Sequence, residues 1–182
     1  MENWLEQGAV LPAPLPTYDG CYVCGQANPV GLHIRFFAHP DGEVRADFSP
    51  REPYAGYDGI VHGGVISAFL DELAGWTVSL ATGLLAYTAN LDIRFVRPVH
   101  VGRCHVGSAR VEEGHGRLWS ARGNLLDMKG RVCARAFGRY FLLTSGLTAG
   151  VAARMTRHEP AGAARGSRCS FPGGASLPAV IP

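Results

Sequence analysis

The sequence predicts an α+β protein in which one long helix packs against an antiparallel sheet of about six strands. Three observations predict it. One central stretch carries apolar residues at helical spacing. Segments with period-two alternation lie on both sides of it. The connections between those segments are of hairpin length, and a helix with one apolar stripe must bury it against such a sheet.

Each element can be justified in order. Residues 1–20 contain Pro12, Pro14 and Pro16 in a weakly patterned stretch, which reads as an extended N-terminal arm. The domain proper is expected over 21–144. It opens with Cys21-Tyr22-Val23-Cys24-Gly25 and the turn Asn28-Pro29. Leu32-His33-Ile34-Arg35-Phe36 alternates as a half-buried strand does. The turn Pro40-Asp41-Gly42 then leads into a strand over 43–49, which completes a hairpin. Residues 50–61, rich in Pro, Gly and Tyr, read as a loop. From His62, residues Ile66, Phe69, Leu70, Leu73 and Trp76 recur on one helical face, and Gly83 is the expected stop. Period two returns with Leu91, Ile93 and Phe95. Further strands are expected at 105–110, at Leu118–Asp127 after the turn Glu113–Gly116, and at Val132–Leu143 after Lys129-Gly130. Residues 145–182, dominated by Ala, Gly, Arg, Ser and Pro, read as a poorly ordered tail whose one regular element is a short helix around 147–155.

Composition narrows the function classes. The chain has 182 residues with 47% hydrophobic and 18% charged, enough to bury a core without disulfides or a metal. The net charge of +2 argues against a dedicated nucleic-acid binder. The longest apolar runs are far short of the roughly 18 residues a membrane span needs. Met1-Glu2-Asn3-Trp4-Leu5-Glu6 lacks the pattern of a secretory signal, so a cytoplasmic location is expected. The cysteines do not suggest a disulfide framework.

The chemistry-bearing stretch is Gly59-Ile60-Val61-His62-Gly63-Gly64-Val65. Two glycines at a helix mouth permit close backbone approach by a ligand, and the first-turn N–H groups lie at the positive end of the dipole. Together they can hold a carbonyl oxygen as it becomes an oxyanion. Asp71, two positions past Phe69, sits at the edge of the apolar stripe, where a carboxylate can act as general base or nucleophile. Alone, His-Gly-Gly is an ordinary loop–helix junction and Asp71-Glu72 an ordinary solvated pair. Motif, spacing and following strands together give them weight.

Residues Gly59 to Glu72 resemble the signature helix of hotdog-fold thioesterases of the PaaI-like type, within the 4-hydroxybenzoyl-CoA thioesterase superfamily. Thr88-Ala89-Asn90-Leu91-Asp92-Ile93-Arg94-Phe95-Val96-Arg97-Pro98 resembles the strand that follows it, and Cys21 to Leu32 resembles the lead-in of one subgroup. The resemblance runs in order over about residues 20–144. It implies a hotdog fold, a homodimer that often pairs into a dimer of dimers, and an active site at the dimer interface with no cofactor. It implies that Gly63 N–H binds the thioester carbonyl while His62 and Gly64 shape the turn. Asp71 of the partner chain would attack the carbonyl or activate water, with Thr88 nearby. Asn90 and Arg97 are further substrate-binding candidates, Arg97 with Arg94 and Arg103 toward the CoA phosphates. The substrate would be an acyl-CoA, with neither membrane nor nucleic acid as partner.

One departure stands out. Many relatives carry Asn or Gln in the loop before His-Gly-Gly, where this chain has Ala55-Gly56, with Tyr57 and Asp58 as substitutes. Glu72 is the second-choice carboxylate. It lies about 100° around the helix from Asp71, so the two cannot serve one site equally. Cys21 and Cys24 form a CxxC that would need two more zinc ligands. Cys104, Cys133 and His33 are the candidates, yet no second CxxC or His pair exists, so buried packing and no metal are expected. The rival functions are a non-catalytic acyl-CoA or acyl-carrier binding protein, an enoyl-CoA hydratase, and a protein scaffold.

Overall fold

The computed structural model describes residues 4–5, 10–158 and 169. The central element is helix α1 (Gly63–Thr82), closed by Gly83 in the left-handed conformation at φ 70°. A side chain is strained there, so the expected stop has a stated cause. Nine strands follow the chain: β1 (Ala13–Pro14), β2 (Phe37–Ala38), β3 (Val44–Phe48), β4 (Ala55–Tyr57), β5 (Ile60–Val61), β6 (Ala86–Phe95), β7 (His105–His115), β8 (Leu118–Asp127) and β9 (Val132–Leu142). Seven form one antiparallel sheet in the order β1-β2-β3-β7-β8-β9-β6, and β4 and β5 form a separate ribbon. The sheet wraps α1, which is the hotdog arrangement that the resemblance implies.

The apolar stripe of α1 meets the sheet as its spacing requires. Phe69, Leu70, Leu73 and Ala74 are fully buried, and Phe69 stacks on Phe48 at 4.8 Å between ring centres. Burying each of the large side chains contributes about 1.5–3 kcal/mol. The arm reaches the same helix. Trp4 packs edge-on against Trp76 at 5.6 Å, and its indole N–H donates to the Ser79 carbonyl at 2.7 Å.

Three local expectations are corrected. Residues 32–36 alternate in burial as expected, but they are not a strand of the sheet. Leu32 and Ile34 donate to the carbonyls of Tyr22 and Val23, so the segment pairs with the CxxC turn, and the hairpin to β3 starts only at Phe37. The loop 50–61 contains a 3-10 turn at Glu52–Tyr54 and the β4–β5 ribbon. The turn expected over Glu113–Gly116 is shorter, because β7 continues to His115 and Gly116 turns the chain at φ 56°.

At the C-terminal side, α2 (Ser145–Ala152) is capped by Thr144, and Thr148 accepts a hydrogen bond from Leu85 N–H at 3.2 Å. Thr17 and Thr156 form an isolated bridge. A disulfide joins Cys104 to Cys169 across a sequence separation of 65, a pairing that spacing did not suggest. Apart from Cys169, the tail from 159 onward lies outside the described residues. No helix among the described residues is long and apolar enough to cross a membrane.

Candidate active site

The helix mouth is built by His62. Its backbone is extended (φ −61°, ψ 135°), and its Nδ1 accepts the N–H of Gly64 at 2.9 Å. Its carbonyl accepts the N–H groups of Val65 and Ile66 at 3.0 and 3.3 Å. The Gly63 N–H has no acceptor among the described residues. It therefore points an uncommitted donor outward at the positive end of the α1 dipole. The Phe95 ring closes one side, since a Cβ on Gly63 would lie 3.2 Å from its Cζ. Gly56 closes the other, where a Cβ would lie 3.0 Å from His62 Cα. A side chain at 56 would thus press on His62, which would have to shift by a few tenths of an ångström. Tyr57 and Asp58 are exposed.

Asp71 lies two turns along α1. Its Oδ1 accepts the Thr88 hydroxyl at 2.8 Å and the Tyr140 hydroxyl at 3.3 Å, and Tyr140 also donates to the Asp71 carbonyl at 3.2 Å. Burial holds the Asp71 carboxyl above the usual aspartate range, and the two hydroxyls partly offset that rise. A half-buried carboxylate oriented by two donors is a suitable base.

Tyr140 was not legible as a site residue. It is one inward position in the alternating pattern of β9, and burial pushes its phenol well above the ordinary range. Gly138, two residues before it on the same face, was the available signal. A Cβ there would lie 2.4 Å from the Tyr140 hydroxyl.

Glu72 points elsewhere. Both its carboxylate oxygens lie 3.6 Å from Cys21 Sγ. Burial pushes Glu72 up to about 8. The hydrogen bond with Cys24, helped by backbone N–H groups, brings Cys21 down to about 5, and the same bond raises Cys24. The zinc candidates named from sequence do not join the CxxC. Cys104 is in the disulfide, His33 bonds the Asn28 carbonyl at 2.6 Å, and Cys133 faces the Arg131 carbonyl at 3.8 Å.

The remaining candidates lie on or beyond β6. Thr88 and Asn90 are exposed, and Asn90 pairs in register with Arg139. Arg97 donates to the Val132 carbonyl at 2.5 Å, while Arg94 and Arg103 are exposed.

Comparison with known proteins bears on the superfamily and the fold. The family model described as thioesterase superfamily matches residues 58–134, which include Gly63, Asp71, Thr88, Asn90 and Arg97 but neither the CxxC nor Tyr140. The solved structure of RHA08564, a thioesterase superfamily protein, superposes with TM-score 0.63 at 27% identity, covering 68% of this chain and 60% of that one. This chain thus spans less than two thirds of that relative. A phenylacetic acid degradation-related protein from Ralstonia eutropha JMP134 gives TM-score 0.55 at 26% identity, covering 62% and 86%. A Streptococcus mutans UA159 protein bound to acetyl-CoA gives 0.53 at 22% identity, covering 56% and 82%, a likeness of fold. A search of curated proteins gives no match. The resemblance to thioesterase-superfamily proteins read from the sequence is borne out.

Proposed function

We propose that this chain is an acyl-CoA thioesterase whose site is completed by a second copy of itself. The observation that carries the reading is the carboxylate of Asp71, held by two hydroxyls on a helix whose mouth presents the free N–H of Gly63. In the mechanism, Gly63 N–H donates a hydrogen bond to the thioester oxygen as it becomes an oxyanion. Asp71 takes a proton from water as the water attacks the carbonyl carbon. The tetrahedral intermediate then collapses, the C–S bond breaks, and the proton returns to the departing CoA thiolate. Direct attack by Asp71 would instead form a mixed anhydride that water opens.

One chain cannot do this alone. From Gly63 to Asp71 the helix rises about 12 Å, too far for both to reach one carbonyl. β6 ends the sheet, and its outer edge has no strand partner among the described residues. It exposes Tyr87 and Phe95, at 68% and 54%. Long bare edges are normally covered. Antiparallel pairing of two β6 edges would set the Phe95 end of one chain, beside Gly63, against the Thr88 end of the other, beside Asp71. The acetyl-CoA held by the Streptococcus mutans protein on this fold supports a CoA thioester as substrate class.

A second reading, acyl-CoA binding without turnover, is favoured by Gly56, which offers no carboxamide to position water. One experiment separates the two. CoA release is measured across short, medium, long and aryl acyl-CoAs for wild type and Asp71→Ala. Release that falls by ~10²-fold or more in the variant supports hydrolysis. Binding without release by wild type replaces it with the second reading.

A further inference from the structure

Cys21 and Cys24 are the one motif of the sequence that the hydrolase reading leaves unused, and they lie outside the stretch matched by the family model. The chain folds tightly around them. The N–H groups of Val23 and Cys24 donate to Cys21 Sγ at 3.2 and 3.4 Å, and Gly25 N–H donates to the Cys21 carbonyl at 3.1 Å. Gly25 is required for that closure, because a Cβ would lie 2.4 Å from the carbonyl oxygens of Asp19 and Cys21. The Asn28 side chain braces the loop by donating to the Gly20 carbonyl at 3.2 Å. Two N–H donors aimed at one sulfur favour its thiolate, the form that binds metal.

The third group comes from α1. The Glu72 carboxylate faces this turn, and ligand atoms of Cys21, Cys24 and Glu72 all lie within 4.8 Å of one another. No Lys or Arg forms an ion pair with Glu72 among the described residues. Three groups that can each give up a proton to a metal therefore converge on one point with no Lys or Arg among them. The Cys21–Glu72 spacing fits a zinc ion. A thiolate at about 2.3 Å and a carboxylate oxygen at about 2.1 Å from a tetrahedral zinc ion lie about 3.6 Å apart. That is the separation found between Cys21 Sγ and the Glu72 oxygens, 3.6 Å. Two sulfurs select a borderline-soft ion over magnesium or calcium.

We infer that Cys21, Cys24 and Glu72 form a zinc site, with water as fourth ligand, that fastens the lead-in segment to α1 next to Asp71. This replaces the sequence expectation of a packing role for the CxxC, and it stands whether or not the chain hydrolyses thioesters.

The test uses the full reduced chain, stripped of metal and titrated with Zn²⁺ and, as a spectroscopic probe, Co²⁺. One equivalent should bind by native mass spectrometry, and Co²⁺ should give a thiolate charge-transfer band with tetrahedral d–d absorption. Cys21→Ser with Cys24→Ser should abolish both, and Glu72→Gln should weaken Zn²⁺ binding by ~10-fold or more. Cys133→Ser should retain one equivalent. X-ray absorption at the zinc edge of wild type, which needs no variant, should show two sulfur neighbours at about 2.3 Å and two oxygen neighbours. The inference is overturned by no binding at micromolar Zn²⁺, by binding that survives the double cysteine substitution, by a shell without sulfur, or by a Cys21–Cys24 disulfide that persists under reduction.

Discussion

Asp71 and Glu72 are neighbours on one helix, yet their carboxylates have entirely different surroundings. Asp71 meets the hydroxyls of Thr88 and Tyr140 near the bare edge of β6. Glu72, about 100° around the helix, meets the sulfur of Cys21 on the side where the lead-in segment packs. Both are raised by burial, and only Asp71 is offered hydrogen-bond donors from the sheet. The difference teaches that the period of a helix can divide an acidic pair between two separate environments, here the one proposed for catalysis and the one proposed for metal binding.

The sharpest way to break the comparison is to substitute each member. Asp71→Asn should lower kcat by ~10²-fold or more while one equivalent of Zn²⁺ still binds. Steady-state CoA release and metal titration on the same preparation check this, and equal losses in both would dissolve the distinction. The next effect is on stability. Zn²⁺ at about a hundredfold above its Kd should stabilise wild type by about 2.7 kcal/mol and leave the Cys21→Ser, Cys24→Ser chain unchanged, as read from denaturant midpoints.

Smaller effects sharpen the Asp71 side. Tyr140→Phe removes a buried hydroxyl and one of two bonds to Oδ1, so kcat should fall by about tenfold and stability by about 1 kcal/mol. Thr88→Val should act mainly on pH. The Thr88 bond favours the charged form of Asp71, so losing it raises the pKa, keeps the base protonated to higher pH, and moves the acid limb of kcat/KM upward. A bond of about 1 kcal/mol corresponds to about 0.7 pH units. A limb that moves down would mean that Thr88 does not bond the carboxylate.

How much was legible varies with range. The helix, its start beside His62, its stop at Gly83 and the strand Leu118–Asp127 follow from local period and turn chemistry, and the structure has them. The segment 32–36 shows the limit. Its alternation predicts which side chains are buried, but it does not say which backbone accepts the hydrogen bonds, and those went to the CxxC turn. Tyr140 was hidden because Val132–Leu143 offers several inward positions of equal standing. Only the register of β9 against β6, with Tyr140 opposite Thr88, sets it over Asp71.

By itself, then, the sequence determined the α+β class, the long helix, the Gly63 mouth and the candidacy of Asp71. Each rests on spacings within about twenty residues, where a 3.6 or a 2 period is decisive. Only the tertiary structure decided that Tyr140 and Thr88 orient Asp71, that Glu72 turns to Cys21 and Cys24, and that Cys104 bonds Cys169. All but the Thr88 bond join residues far apart, at separations of 69, 51 and 65. No local period extends so far, and proximity over that range is set by how the sheet closes around the helix.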